Sequence, residues 1–266
     1  MNQVLTHRVD GSGDPVLLLN GGMMTIGSWS ETAARLQTRW RVIRCDFRGQ
    51  LLSPGPPFHA DLSGHVADVV TLLDTLAVQR VHVIGTSFGA EVGLLLAACH
   101  PDRVASLVAA TATDWSLPEF VAGTRALMDA AGEATSGGSR YALYDLLLPW
   151  TYSPAYLEAN TALFAARREQ VATLPDAWFQ GTSSILSALL DLDLRPRLRD
   201  VRCPTLVIIA EHDHIMPIER SRAIVAGIAG AEEAFVAGSG HALVVEQPDV
   251  FLRLSEQFLD RQPPLT

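Results

Sequence analysis

The sequence predicts an α/β fold: a mostly parallel sheet flanked by helices and interrupted by one helical insertion. Three observations carry this. Short apolar runs alternate with helix-length amphipathic segments over most of the chain, the pattern of successive βαβ units. The stretch "VHVIGTSFGAEVGLLLAACHP", residues 81–101, passes from an apolar run through a glycine-flanked corner directly into an apolar helical segment. From about Trp115 to Arg199 strand-like runs stop, while helical periodicity continues.

Taken in order, "LTHRVDG" near the start reads as an additional edge strand, and "PVLLLNG" (15–21) as a buried one. The helix "SETAARLQTRW" follows, then the strand "RVIRCDF" (41–47) and the long amphipathic helix "DLSGHVADVVTLLDTLAV". "RVHVIGT" (80–86) is the third apolar run of the parallel sheet and "SFGAEVGLLLAACH" the helix that leaves it; "VASLVAATA" (104–112) is the next strand. After the insertion, "PTLVIIAE" (204–211), "PIERSRAIVAGI", "EEAFVAG" (232–238) and "PDVFLRLSEQFLDR" alternate as strand, helix, strand, helix. The expected organisation is therefore a core domain in two parts, 1–114 and 200–266, carrying a helical cap, 115–199. All four tyrosines, at 141, 144, 152 and 156, fall in the cap with Trp115, Trp150, Trp178, Phe164 and Phe179. "EATSGGSRY" (133–141) reads as a turn within it.

Composition narrows the function classes. At 266 residues, 48% hydrophobic and 18% charged, the chain can bury a large core. The longest apolar run near the glycine-flanked corner, Val92 to Cys99, is too short to span a bilayer. A net charge of −9 with only 20 Lys plus Arg argues against a nucleic-acid surface, which needs a basic face, and in favour of a small-molecule partner. The opening "MNQVLTHRVD" lacks the basic start and apolar middle of a secretory signal, so a cytoplasmic location is expected. Cys45, Cys99 and Cys203 are far apart in or beside apolar segments and read as reduced core thiols, with no bridge or metal knot.

The corner at residue 87 is the first candidate site. A turn from a parallel strand into a helix lies at the carboxyl edge of the sheet, where α/β ligand sites form. Gly85 and Gly89 remove side chains where strand and helix cross, and the helix amino terminus offers free N–H groups to a developing negative charge. A serine hydroxyl is a weak nucleophile near neutral pH and needs a base, which needs an orienting carboxylate. Of eight histidines, His241 stands between the last strand and the last helix, the right edge. His82 lies inside a strand and His100 at a helix end. For the carboxylate, Asp213 ends the penultimate strand and is favoured, while Asp114, ending the strand before it, stays open; Glu211 and Glu246 read more simply as structural. His212 and His214 flank Asp213 but lack a third clustered ligand, so no metal is expected.

Four motifs, "LLLNGG", "DFRGQLLS" (46–53), "GTSFG" and the pair "AEHDHIMP" and "GSGHALVVEQP", resemble the α/β-hydrolase fold superfamily over nearly the whole chain outside the cap. The resemblance is to serine esterase or lactonase-like members. It implies Ser87 as nucleophile, His241 as base, Asp213 as orienter and the backbone N–H groups of Gly22 and Phe88 as oxyanion donors, without a cofactor. The expected substrate is a small carboxylic ester or lactone. Rivals on the same residues are carbon-carbon bond hydrolysis, acyl transfer and perhydrolysis, and, from another class, a receptor that binds without turnover. Two positions depart from the family pattern. Asn20 stands where histidine is frequent, and Leu51 replaces the second glycine of Asp-x-Arg-Gly-x-Gly-x-Ser.

A cap over Ser87 should turn an apolar face to the site, favouring short to medium acyl groups or small rings and rejecting charged acids. An arginine reaching in from the cap, Arg125, Arg140, Arg167 or Arg168, would reverse that preference.

Overall fold

Pro15 to Leu19 can only be satisfied by burial on both faces, and that is where the chain places it. In the computed structural model, which describes residues 4–53, 56 and 58–265, seven strands form one sheet. Met1 to Gln3, the start of the segment read for targeting, lie outside the described residues. The strands are β1 (His7–Asp10), β2 (Pro15–Leu19), β3 (Arg41–Cys45), β4 (Val81–Thr86), β5 (Val104–Ala110), β6 (Thr205–His212) and β7 (Glu232–Gly240), in the spatial order β1-β3-β2-β4-β5-β6-β7. The half-exposed β1 lies at one edge, as its sequence predicts, and runs antiparallel to β3; every other pairing is parallel.

Alternation along each central strand divides the core in two. Leu17, Leu19, Val83 and Leu107 face one side and pack with α2 (Leu62–Thr75), α3 (Phe88–Cys99) and α9 (Ile218–Gly227). Val16, Leu18, Ile84 and Val108 face the other, against α1 (Ser30–Leu36) and α11 (Pro248–Leu259). Helix α2 starts where Asp61 accepts the N–H groups of Ser63 and Gly64, satisfying donors left free at a helix start. A short helix the sequence reading did not separate, α10 (Leu243–Glu246), sits between β7 and α11.

Between β5 and β6 the chain forms five helices: α4 (Pro118–Thr135), α5 (Ala142–Thr151), α6 (Pro154–Ala159), α7 (Thr161–Ala172) and α8 (Asp176–Ser187). They have a small core of their own, in which Trp178 and Phe179 pack with Leu143 and the alanines of α4. Among the described residues, no helix is long and apolar enough to cross a membrane. Cys45 and Cys203 are buried, but Cys99 is exposed: as the last residue of α3 it lies at the solvent end of the helix and is not a core thiol.

Candidate active site

The corner between β4 and α3 holds Ser87 with φ 50° and ψ −129°, a left-handed backbone that is strained for any residue with a side chain. The neighbouring glycines make the turn feasible. A Cβ on Gly85 would fall 2.4 Å from the Gly89 carbonyl oxygen, and one on Gly89 2.3 Å from that of Leu19. The strain therefore fixes the hydroxyl at the sheet edge, ahead of the amino terminus of α3.

Two further strand ends meet it there. Asp213 follows β6, and its Oδ1 accepts the N–H groups of Ile215 at 3.0 Å and Met216 at 2.7 Å, which locks the carboxylate. His241 follows β7, with Nδ1 2.9 Å from Asp213 Oδ2 and 3.0 Å from Oδ1, and Nε2 2.9 Å from Ser87 Oγ. A carboxylate only accepts, so Nδ1 donates and Nε2 of the neutral ring accepts the serine proton. Burial disfavours an imidazolium at His241, yet the charge and hydrogen bond of Asp213, joined by the charge of Glu91, outweigh it and raise the histidine's pKa above the ordinary value.

Asp114, the alternative carboxylate, is turned elsewhere. Its side chain faces Arg220 at 3.5 Å and its backbone carbonyl accepts Leu194 N–H, tying the end of β5 to the chain leaving the insertion. Burial raises its pKa, opposed by Arg220. His82 is a buried strand residue bonded to Ser106 Oγ at 2.8 Å. Among the described residues, no group of three or more His, Cys, Asp or Glu side chains is gathered closely enough to hold a metal ion.

Of the two departures from the family pattern, Leu51 is partly buried against the small core of the insertion, and Asn20 sits in a buried polar network. Asn20 donates to Gln50 Oε1 at 2.8 Å and Asp46 Oδ1 at 3.2 Å, and accepts Trp29 Nε1–H at 2.8 Å. Gln50 also accepts Phe47 N–H and donates to the carbonyls of Gly21 at 2.8 Å and Gly22 at 3.2 Å. The carboxamide thus holds the loop that presents Gly22. Gln50 was not singled out in the sequence; the "DFRGQ" motif was its only signal. Glu91, one turn into α3, was also missed. It is fully buried, accepts Thr113 N–H at 2.9 Å with Oε1, and among the described residues its Oε2 has no partner. Burial, against the Thr113 bond and the charge of His241, pushes its carboxyl up to about 7.

Ser87, Phe88, Gly22 and His241 line one cavity of about 780 Å³, closed by residues of α4, α5, α7 and α8. Its wall is mainly apolar, as the cap reading expects, with Phe120, Leu143, Leu186 and Val245 among the contributors. Of the four arginines named above, Arg140 bonds Asp176 and backbone carbonyls, Arg168 pairs with Asp145 through two nitrogens at 2.6 and 2.7 Å, and Arg125 is exposed off the wall. Arg167 reaches the cavity.

A parallel sheet with a serine on its strand-to-helix corner, and histidine and aspartate at the ends of neighbouring strands, defines an α/β enzyme of the hydrolase class. The chain belongs to the alpha/beta hydrolase fold family, whose model matches residues 14–248. It is 33% identical over 270 residues to the RutD protein of Variovorax paradoxus (strain S110), covering 97% of this chain and 96% of that one; that relative's name proposes carbamate hydrolysis for it. The enol-lactonase of Burkholderia xenovorans LB400 has a TM-score of 0.85 at 27% identity, covering 97% of this chain and 96% of its own. MGS-M2, an alpha/beta hydrolase from a Medee basin deep-sea metagenome library, reaches a TM-score of 0.92 at 22% identity over 98% of this chain and 96% of its own, a likeness of fold. The protein is a hydrolase.

Proposed function

We propose that this hydrolase cleaves a small carboxylic ester or lactone through an acyl-Ser87 intermediate. The observation that carries the reading is the unbroken hydrogen-bond line Ser87–His241–Asp213 at the end of an apolar cavity. His241 Nε2 takes the hydroxyl proton as Ser87 Oγ attacks the carbonyl carbon. The oxyanion that forms is held by the N–H groups of Phe88 and Gly22, and Asp213 stabilises the imidazolium. The imidazolium then protonates the leaving alkoxide. Water, deprotonated by His241, attacks the acyl carbon and returns Ser87 with the acid as product.

The RutD likeness supports carbamates as a second substrate class for the same residues. Size weighs against the smallest of them: a cavity of about 780 Å³ is in the range that encloses a drug-sized molecule. The test is turnover of p-nitrophenyl esters with mass-spectrometric trapping of the enzyme. The expected result is a burst of p-nitrophenol and an acyl mass increment on the peptide bearing Ser87, absent from Ser87→Ala. Binding without turnover would overturn the reading and favour a receptor; turnover of carbamates alone would move it to the second class.

A further inference from the structure

An arginine in the wall of an apolar cavity needs a counter-charge, because a cation partly removed from water is costly unless it is paired. Arg167, on α7, has none. Among the described residues no carboxylate lies within 4.0 Å of it, and its one hydrogen bond to a side chain goes to the neutral phenol of Tyr152, at 3.2 Å. Its guanidinium lies 5.9 Å from the centroid of Phe164. The neighbouring carboxylates are already engaged. Glu246 accepts from Ser153 N, Ser153 Oγ and Gly240 N, Asp145 holds Arg168, and Glu169 accepts the Tyr141 hydroxyl. Among the described residues lining the cavity, the one carboxylate is that of Glu31 on α1, which is exposed.

Tyr152 completes the arrangement. Its oxygen accepts from Arg167, so its own O–H is left to donate, and among the described residues it has no acceptor. Burial raises its pKa above the usual phenol value, against the opposing charge of Arg167. Both side chains line the cavity that contains Ser87. Two converging donors, one of them charged and planar, match the two oxygens of a carboxylate.

We propose that Arg167 and Tyr152 form a carboxylate subsite, so that the preferred substrate is an ester or lactone whose acyl part carries a second, anionic carboxylate. This rests on the ester-cleaving reading above and reverses the expectation of an apolar pocket that rejects charged acids. The sequence could not show which cap arginine faces the cavity.

The experiment compares p-nitrophenyl half-esters of succinic, glutaric and adipic acid with methyl-terminated neutral esters of equal chain length, as the ratio of their kcat/KM values. The expected ratio is about tenfold to a hundredfold in favour of one anionic chain length. Arg167→Gln should collapse that ratio toward one, Tyr152→Phe should lower it in part, and Arg168→Gln should preserve it. Reading the ratio within each variant removes any general loss from misfolding. A ratio near or below one in the wild type, or a preference that survives Arg167→Gln, overturns the proposal. If no ester of either kind is turned over, the ester reading fails by itself, and calorimetric binding of glutarate to the Ser87→Ala protein decides the subsite. Binding weakened more than about tenfold by adding Arg167→Gln supports it; absent or unaltered binding overturns it.

Discussion

His241 Nε2 stands 2.9 Å from Ser87 Oγ, across 154 residues of sequence, at a corner whose positive-φ backbone puts the serine side chain at the sheet edge. Ser87→Ala removes the acceptor of the acyl group and leaves the corner otherwise intact. Ester turnover should fall by about three orders of magnitude or more, with an unchanged thermal midpoint. Residual activity above about a tenth of wild type, in a preparation free of contaminating esterase, would remove Ser87 from the mechanism.

Asp213 and Asp114 are both buried strand-end aspartates, but only the first touches the His241 ring. Asp213→Asn places an amide N–H where Nδ1 donates, which favours the wrong tautomer and withdraws the charge that stabilises an imidazolium. A fall in kcat of about 10³ to 10⁴ is expected. Asp114→Asn should act on stability through the Arg220 contact and leave kcat within a few-fold of wild type. Stopped assays on both variants at one pH settle the comparison; a larger loss from Asp114→Asn would transfer the orienting role to it.

The base must be neutral to accept a proton, and the pKa of His241 lies above its ordinary value despite burial because Asp213 favours the charged ring. Activity should therefore rise with pH through an apparent pKa higher than about 6.5. A profile of kcat/KM between pH 5 and 9 measures it. A plateau already complete below pH 6 would contradict the pairing.

Much of this was legible in the sequence because it is local or periodic. Val16 to Leu19, Val81 to Ile84 and Thr205 to Ala210 are buried on both faces, Ser87 and Asp213 lie just beyond two of these runs, and His241 lies just beyond the edge strand β7. Gln50 escaped notice for the opposite reason. Its partners, Asn20, Gly21 and Gly22, are about thirty residues away, and nothing in the spacing marks one glutamine of a loop as the bond that shapes another. Arg167 and Arg168 are adjacent in sequence, yet one pairs with Asp145 and the other faces the cavity; helix rotation decides this, and composition does not record it. Cys99 was read as core because its neighbours are apolar, although the end of α3 leaves it exposed.

Glu91 supplies the last prediction. A buried carboxyl with an unpartnered Oε2 is expensive to ionise, and its pKa of about 7 follows chiefly from that burial. In the unfolded chain the same group ionises near its ordinary value of 4.5. Between these pH values the folded protein holds the proton more tightly, so Glu91's contribution to stability is full below the unfolded pKa and is lost as pH rises through the folded one. Glu91→Gln keeps an oxygen for Thr113 N–H and cannot ionise. The variant should therefore gain stability relative to wild type as pH rises from 5 to 8, measured as the difference in thermal midpoint at each pH, which cancels the titration of other groups. The ionised carboxylate also helps to hold the pKa of His241 up, so the rising limb of the variant's rate profile should move to lower pH. A stability difference that stays flat across this range would show that Glu91 is ionised throughout, and that His241 has a permanent second negative charge beside it.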